Sequence, residues 1–180
     1  MKKQTRLINS FLKRGSFLGK SEVSTYRVEK SGSFYVLKLA NKKDTFQVEL
    51  LKREENLLLK AKDIQGITQL VDAYDFSSKP SKSPWGYGIL KEYAKGNIIS
   101  QKEFVSDVYL KNQLEDTIHQ LHGLGIVNLD VVRRNIVIHP AKECITHIDI
   151  GTGKEASEIS KKKFKIYCGK DWERFDSLMD

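Results

Sequence analysis

Two short apolar segments in the second half of the chain, residues 136–138 and 145–148, have polar side chains at their ends. Asp130 and Asn135 come before the first segment, and Asp149 directly follows the second, fourteen residues after Asn135. A β-hairpin formed by the two segments would deliver these three side chains from neighbouring turns. One carboxylate could then accept a hydroxyl proton, while an amide and a second carboxylate offer oxygen ligands to a hard divalent cation. The pattern therefore predicts metal-assisted phosphoryl transfer.

Length and composition fit one globular domain. The 180 residues are 39% hydrophobic, which is enough for one core that two small lobes can share. The 31 basic and 23 acidic residues give a net charge of +8, which attracts nucleotides, nucleic acids or an anionic membrane surface without choosing among them. Cys144 and Cys168 are too few for a disulfide framework and lack metal-ligand spacing, so a reducing, cytoplasmic compartment is expected. No apolar run approaches the length of a membrane span, which predicts no membrane insertion.

The first 20 residues contain no acidic side chain. Apolar residues recur there at helical spacing between basic ones, a pattern typical of an organelle transit peptide. The alternative is a short basic helix or an extended arm that packs on the first lobe, and it is favoured because the segment runs without a break into the next motif. The apolar positions are Leu7, Ile8, Phe11 and Leu12.

The remaining periodicity predicts a mixture of strands and helices. Alternation and β-branched residues predict strands within residues 15–39, 67–76 and 87–93. A 3.6-residue period predicts one helix over residues 45–60 and another from about residue 103 to 121.

Lys38 lies in an otherwise apolar segment, residues 35–40. A period of two puts its side chain on the same face as Val36, where a charge needs a partner because burial of an unpaired ammonium is costly. Glu54 and Glu55 of the following helix both fall on its apolar arc and are the candidate partners. The alternative is an edge-strand lysine whose head group reaches water.

The order of these motifs resembles the eukaryotic-like protein kinase superfamily over nearly the whole chain. Residues 36–38 are similar to its Ala-x-Lys strand, so the resemblance implies that Lys38 holds the ATP phosphates and that Val36 lies beside the nucleotide. The distance to the next strand makes Glu55 the implied partner of Lys38, with Glu54 as the alternative.

The resemblance also implies where the nucleotide binds. Residues 90–96 are similar to the kinase hinge, where backbone groups of Glu92 and Ala94 would meet adenine. A glycine loop near the N-terminus is similar to the shortened nucleotide loop of the RIO group. It is one residue too short for a P-loop, and it is followed by a β-branched stretch where a P-loop needs a helix. Its implied nucleotide contacts are Gly19, Lys20 and Ser21.

The polar residues around the two apolar segments match the catalytic motifs of the family. Asp130 corresponds to the catalytic-loop base, and Asn135 and Asp149 to the metal ligands, so the implied cofactors are ATP and Mg²⁺. Arg134 is placed as in tyrosine-kinase-like loops and is implied to act at the γ-phosphate. Asp171 is similar to the aspartate that buttresses the catalytic loop from the start of a helix.

Several positions depart from the family pattern. Asn128 and Leu129 replace the histidine and arginine of the His-Arg-Asp triplet, which leaves no arginine to receive a phosphorylated activation loop. Val132 replaces the lysine usual in serine/threonine kinases, and Lys91 stands at the gatekeeper position. Only 19 residues, 152–170, separate the Asp-Ile-Gly motif from the next helix, without an Ala-Pro-Glu motif. The shortened second lobe resembles small atypical kinases such as the RIO family and the kinase subunit of the tRNA threonylcarbamoyladenosine complex.

Other chemistry-bearing residues are interpreted as structural. His119 and His122 lie three residues apart on a helix with no third ligand nearby, which favours solvated or capping histidines over metal ligands. Trp85 and Trp172 are interpreted as core anchors. The lysine run 161–163 could contact nucleic acid, but a solvated segment is the favoured interpretation.

We therefore expect a single two-lobed α+β domain of the protein-kinase-like fold, with a five-strand N-lobe over residues 1–93 and a truncated helical C-lobe over residues 96–180. The expected function is that of a small atypical serine/threonine protein kinase acting on an unidentified protein, with RNA contact left open. The alternatives are a pseudokinase or nucleotide-gated binding module, and a small-molecule phosphotransferase.

Overall fold

The computed structural model describes residues 2–20, 22–76, 84–139, 141 and 144–180, without the side chains of residues 2–7 and 20. It is an α+β structure that divides into two compact units. The first unit comprises Met1–Asn56 and Gln69–Tyr93, and the second comprises Leu57–Thr68 and Ala94–Asp180. No helix within the described ranges is both long and apolar enough to cross a lipid bilayer.

A five-stranded antiparallel sheet forms the centre of the first unit, in the order β1-β2-β3-β5-β4. Ser31 and Gly32 close the tight turn between β2 and β3, and both have positive φ (53° and 79°), as two-residue hairpin turns require. In chain order the elements are α1 (Lys2–Arg14), β1 (Ser16–Lys20), β2 (Ser24–Lys30), β3 (Ser33–Asn41), α2 (Thr45–Lys60), β4 (Leu70–Asp75) and β5 (Trp85–Glu92).

Apolar side chains leave β3 towards both faces of the sheet, because successive residues of a strand point in opposite directions. Leu37 is buried in one cluster with Ile8 and Phe11 of α1. Ala40 belongs to a second cluster that contains Leu51 of α2. The basic N-terminal segment is thus a helix whose Ile8 and Phe11 side chains join the core of the first unit, which agrees with the second interpretation of that segment.

Replacing Phe11 by Leu should lower the free energy of unfolding by about 1 kcal/mol, because the smaller side chain leaves a void beside the sheet. Lys13 on the same helix is exposed, so Lys13→Ala should change that free energy by less than about 0.5 kcal/mol. Urea unfolding followed by circular dichroism measures both variants. Equal stabilities of the two would contradict the packing of α1 against the sheet.

Two small antiparallel sheets and three helices account for most of the described part of the second unit. The sheets have the strand orders β6-β8-β9 and β10-β7. The β8–β9 pair is the hairpin predicted from the two apolar segments, and it is confirmed. In chain order the elements are β6 (Asn97–Ile98), α3 (Gln101–Ser106), α4 (Val108–Gly123), β7 (Ile126–Val127), β8 (Ile136–Ile138), β9 (Ile145–His147), β10 (Lys154–Glu155) and α5 (Lys161–Asp176).

Two predicted helices have different bounds in the structure. The helix predicted over residues 103–121 is interrupted at Asp107, whose backbone is extended and whose side chain accepts a hydrogen bond from the Leu110 N–H as the N-cap of α4. The helix expected to start near Asp171 begins ten residues earlier, at Lys161. The lysine run that was interpreted as a solvated segment therefore forms the first turn of α5.

Residues 57–68 were expected in the N-lobe, but they belong to the second unit. Their backbone hydrogen bonds explain this, because the Thr68 N–H donates to the His147 carbonyl at 3.1 Å and the His147 N–H donates to the Gly66 carbonyl at 2.7 Å. Gly66 has a φ of +84°, and a Cβ there would lie 2.4 Å from Thr117 Oγ1. Glycine is thus required where this segment approaches α4.

Candidate functional site

Lys38 is held by a buried carboxylate within the first unit. Its Nζ donates to Glu54 Oε1 at 3.0 Å and to Glu54 Oε2 at 2.9 Å. Both side chains are almost inaccessible, with 10% of the Lys38 side chain and 2% of the Glu54 side chain exposed. Strand β3 lies inside the sheet between β2 and β5, so the alternative of an edge-strand lysine is wrong. The predicted need for a carboxylate partner is confirmed.

The partner is Glu54 and not Glu55, which the sequence favoured. Successive residues of a helix point about 100° apart, so only one of two adjacent side chains can face Lys38. Glu55 instead accepts a hydrogen bond from the hydroxyl of Tyr87 on β5. Burial, together with this carboxylate, raises the pKa of Tyr87 above its usual value. Glu55 therefore attaches α2 to the sheet through Tyr87. Its predicted role as the partner of Lys38 is wrong.

Glu54 has a second lysine partner in the same unit. The Lys91 ammonium donates to Glu54 Oε1, and only 2% of the Lys91 side chain is exposed. Lys91 lies opposite Val36 in the pairing of β3 with β5, so its side chain shares the face of the sheet that carries Lys38. The sequence marked Lys91 as unusual, but it did not indicate this partner.

The predicted glycine loop is only partly described. Gly19 lies on β1, where the pairing with β2 shifts register between Phe17 and Gly19. A Cβ at Gly19 would meet no atom within 4 Å, so the backbone there is open to an approaching group. Lys20 ends the strand, and its side chain and all of Ser21 lie outside the described residues. Their predicted contacts with a nucleotide stay predictions.

At the predicted hinge, the Glu92 N–H donates to the Gln69 carbonyl at 2.9 Å. Recognition of adenine at Glu92 would therefore use its carbonyl oxygen, which suits the amino group of the base. Ala94 is the first residue of the second unit after the hinge. The predicted roles of Glu92, Ala94 and Val36 stay predictions.

In the second unit, the loop between β7 and β8 has a strained backbone. Asn128 and Asp130 have φ values of +62° and +48°, which residues other than glycine adopt only where their surroundings hold them. Asp171 of α5 is fully buried, and its carboxylate accepts hydrogen bonds from the N–H groups of Asn128 and Leu129, both at 2.8 Å. The loop contact expected of Asp171 is confirmed, although Asp171 lies in the third turn of its helix.

Asn128 also ties this loop to the turn that follows Asp149. Its Nδ2 donates to the Thr152 carbonyl at 2.8 Å, and the Thr152 hydroxyl donates to the Asn128 carbonyl at 3.1 Å. Asn128 thus supplies two contacts between this loop and the turn that contains Thr152. Asn128 therefore joins the loop to the turn after Asp149 through both its side chain and its backbone carbonyl.

His122 is a residue that sequence reasoning missed. It was interpreted as solvated or capping, but its Nε2 lies 3.0 Å from Asp171 Oδ2, and its ring packs edge-on against Trp172. Its position offered a signal, because residue 122 is four after Ile118 and so lies on the buried stripe of α4. His119, by contrast, is exposed, as interpreted.

Asp130 is held by two donors from the following turn. Arg134 Nη2 donates to Asp130 Oδ2 at 3.0 Å, and Asn135 Nδ2 donates to the same oxygen at 3.0 Å. Asn135 Nδ2 also donates to the Asp130 carbonyl at 3.1 Å. These bonds orient the Asp130 carboxylate and turn the amide oxygen of Asn135 away from it. That oxygen is the atom of Asn135 that can bind a cation.

Asp149 follows Ile148, whose N–H donates to the Asn135 carbonyl at 2.8 Å. This backbone hydrogen bond brings Asp149 to the same loop. Asp149 Oδ1 accepts from the Gly151 N–H at 3.0 Å, which fixes the carboxylate at the end of the turn. Within the described ranges, no group of three or more His, Cys, Asp or Glu side chains is placed to hold a metal ion. A cation here would therefore need ligands from a bound molecule or water as well.

The chain has no match among family models or among curated proteins. The residues of the candidate site form two sets. One set, Lys38, Glu54 and Lys91, lies in the first unit, and the other lies in the second unit. The second set comprises Asp130, Arg134, Asn135, Asp149, Asp171 and His122.

Proposed function

We propose that the chain is an ATP- and Mg²⁺-dependent phosphotransferase of the protein-kinase-like class, and that it acts as a small atypical serine/threonine kinase. The observation that carries the proposal is the strained loop around Asp130. Two N–H contacts to the buried carboxylate of Asp171 hold the loop, and Arg134 and Asn135 orient the Asp130 carboxylate. Strain of this kind persists where the surrounding structure imposes it, and it is frequent at catalytic sites.

In the proposed reaction, Asp130 accepts the proton of an acceptor hydroxyl while that oxygen attacks the γ-phosphorus of ATP. The bond from the γ-phosphorus to the β–γ bridging oxygen breaks, and ADP leaves with the electron pair. Arg134 is close enough to Asp130 to bond it, so its guanidinium can also offset the charge on the transferred phosphoryl group. An acceptor serine or threonine hydroxyl on a protein is the proposed substrate.

The metal ligands of the proposal fit magnesium. Asn135 offers an amide oxygen and Asp149 a carboxylate, and hard cations such as Mg²⁺ prefer oxygen ligands. Mg²⁺ also keeps waters and phosphate oxygens in its coordination shell, so two protein ligands suffice in nucleotide sites. When bound, the cation would neutralise charge that develops on the phosphate oxygens.

The buried ion pair of the first unit supports the nucleotide half of the proposal. An ion pair that is removed from water gains little stability, so its presence inside a sheet favours a functional reason. In the proposal, Lys38 contacts the α- and β-phosphates, and Glu54 keeps the ammonium in place. The Glu92 carbonyl, a backbone group of Ala94 and the Gly19 loop are proposed to contact adenine and the phosphates.

The second candidate is a pseudokinase that binds nucleotide without transfer. It is motivated by four residues that depart from the pattern of the kinase superfamily, which are Asn128, Leu129, Val132 and Lys91. The Asn128 contacts to Thr152 weaken this candidate, because they keep the loop fixed without the usual histidine. A small-molecule acceptor is a third candidate, motivated by the short segment between the Asp-Ile-Gly motif and α5.

Binding of Mg-ATP is expected to raise the melting temperature, since a ligand at a hundred times its Kd stabilises the folded state by about 2.7 kcal/mol. Lys38→Met and Asp149→Asn should each weaken binding by about tenfold or more, because each removes a charged contact with the phosphates or the metal. Lys38→Met should still fold, since Lys91 remains as a partner of Glu54. Thermal shift with and without magnesium measures these effects, and no shift at millimolar Mg-ATP would contradict nucleotide binding.

A further inference from the structure

Three charged side chains meet between the sheet and α2 of the first unit. Glu54 comes from α2, Lys38 from β3 and Lys91 from β5. Glu54 Oε1 accepts hydrogen bonds from both ammonium groups, whereas Oε2 accepts from Lys38. A single carboxylate thus attaches the helix to two adjacent strands.

The two lysines are not equivalent in the proposed reaction. Lys38 has to contact phosphate oxygens when the nucleotide binds, and its ammonium then divides its hydrogen bonds between Glu54 and the ligand. Lys91 is the more deeply buried of the two, with 2% of its side chain exposed against 10% for Lys38. It can therefore keep Glu54 in place while Lys38 engages the phosphates.

We propose that Lys91 is a positioning residue that holds Glu54, and through it Lys38, ready for nucleotide before the nucleotide binds. This inference rests on the proposed function. The contacts of Glu54 with the two lysines lie within the first unit.

The test compares Lys91→Met with Lys13→Met, a matched control that removes the same charge from an exposed position of α1. Calorimetry with Mg-ADP as the probe should give a Kd that is ~tenfold higher for Lys91→Met and unchanged for Lys13→Met. The melting temperature of nucleotide-free Lys91→Met should stay within about 3 °C of the wild type, because Lys38 continues to bond both oxygens of Glu54.

A double-mutant cycle with Glu54→Gln shows whether Lys91 changes the Kd for Mg-ADP through Glu54. If Lys91 acts through Glu54, then Lys91→Met should change the Kd by less than about twofold in the Glu54→Gln background. An unchanged Kd for Lys91→Met in an otherwise wild-type protein would overturn the inference and leave the proposed function intact. A lower melting temperature with the wild-type Kd would equally overturn it, because the lysine would then be structural.

Two further results are decisive. Failure of both Lys91→Met and Lys91→Leu to fold would also make Lys91 a structural residue and overturn the inference. A wild-type protein that does not bind Mg-ADP would overturn the proposed function, and the inference with it. The wild-type titration therefore separates the two failures.

Discussion

Asp130→Asn is expected to abolish phosphate transfer while leaving nucleotide binding nearly unchanged. The amide has the shape of the carboxylate, but it cannot take the proton of the acceptor hydroxyl, and general-base catalysis contributes about 10²–10⁴-fold to rate. The Asn135 amide oxygen and Asp149 are untouched by the change, so the Kd for Mg-ADP should stay within about threefold of the wild type. Transfer is measured with γ-labelled ATP and Kd by calorimetry.

The matched control for this variant is Asp116→Asn, an exposed carboxylate on α4 of the same unit. It makes the same chemical change away from the loop and should keep the wild-type rate. If Asp130→Asn and the wild type incorporate the same residual phosphate, the catalytic role of Asp130 is wrong. The nucleotide-gated binding module would then be the better account of the chain.

Asp171→Ala is expected to lower the free energy of unfolding by about 2–5 kcal/mol. The change removes the acceptor of the buried Leu129 N–H and of the half-buried Asn128 N–H, and it removes the partner of His122. Each buried donor left without an acceptor costs about 1–3 kcal/mol. Because the same bonds hold the positive φ values at Asn128 and Asp130, transfer should fall as well. Urea unfolding measures the stability.

Asp176→Ala, an exposed position on the same helix, is the control and should change stability by less than about 0.5 kcal/mol. The conservative variant Asp171→Asn keeps one oxygen acceptor and should be less destabilising than Asp171→Ala. A loss below about 1 kcal/mol for Asp171→Ala would contradict the view that this carboxylate holds the loop.

Local sequence patterns predicted correctly those elements that are determined by residues close together in the chain. The 45–60 helix has the predicted bounds, because its periodicity is continuous across its whole length. The β8–β9 hairpin followed from two apolar segments with polar residues at their ends. A single charge in an otherwise apolar strand predicted that Lys38 is buried against a carboxylate of the following helix.

The sequence did not determine contacts between residues that are far apart in the chain. Choosing between Glu54 and Glu55 requires the rotation of α2 relative to the sheet, and both residues lie on the same apolar arc. His122 contacts Asp171, which is 49 residues away, so no local pattern could show the contact itself. The break at Asp107, by contrast, could have been predicted locally, because aspartate is a common N-cap residue of helices.

The proposed transfer of the γ-phosphate of ATP is measured as phosphate incorporation from γ-labelled ATP by the purified protein. The reaction is run with lysate proteins as acceptors, with Mg²⁺ or with a chelator, and phosphorylated residues are mapped by mass spectrometry. We expect label on serine or threonine hydroxyls that requires Mg²⁺ and disappears with Asp130→Asn. Incorporation no higher than in a reaction without the protein, at saturating Mg-ATP, would contradict it.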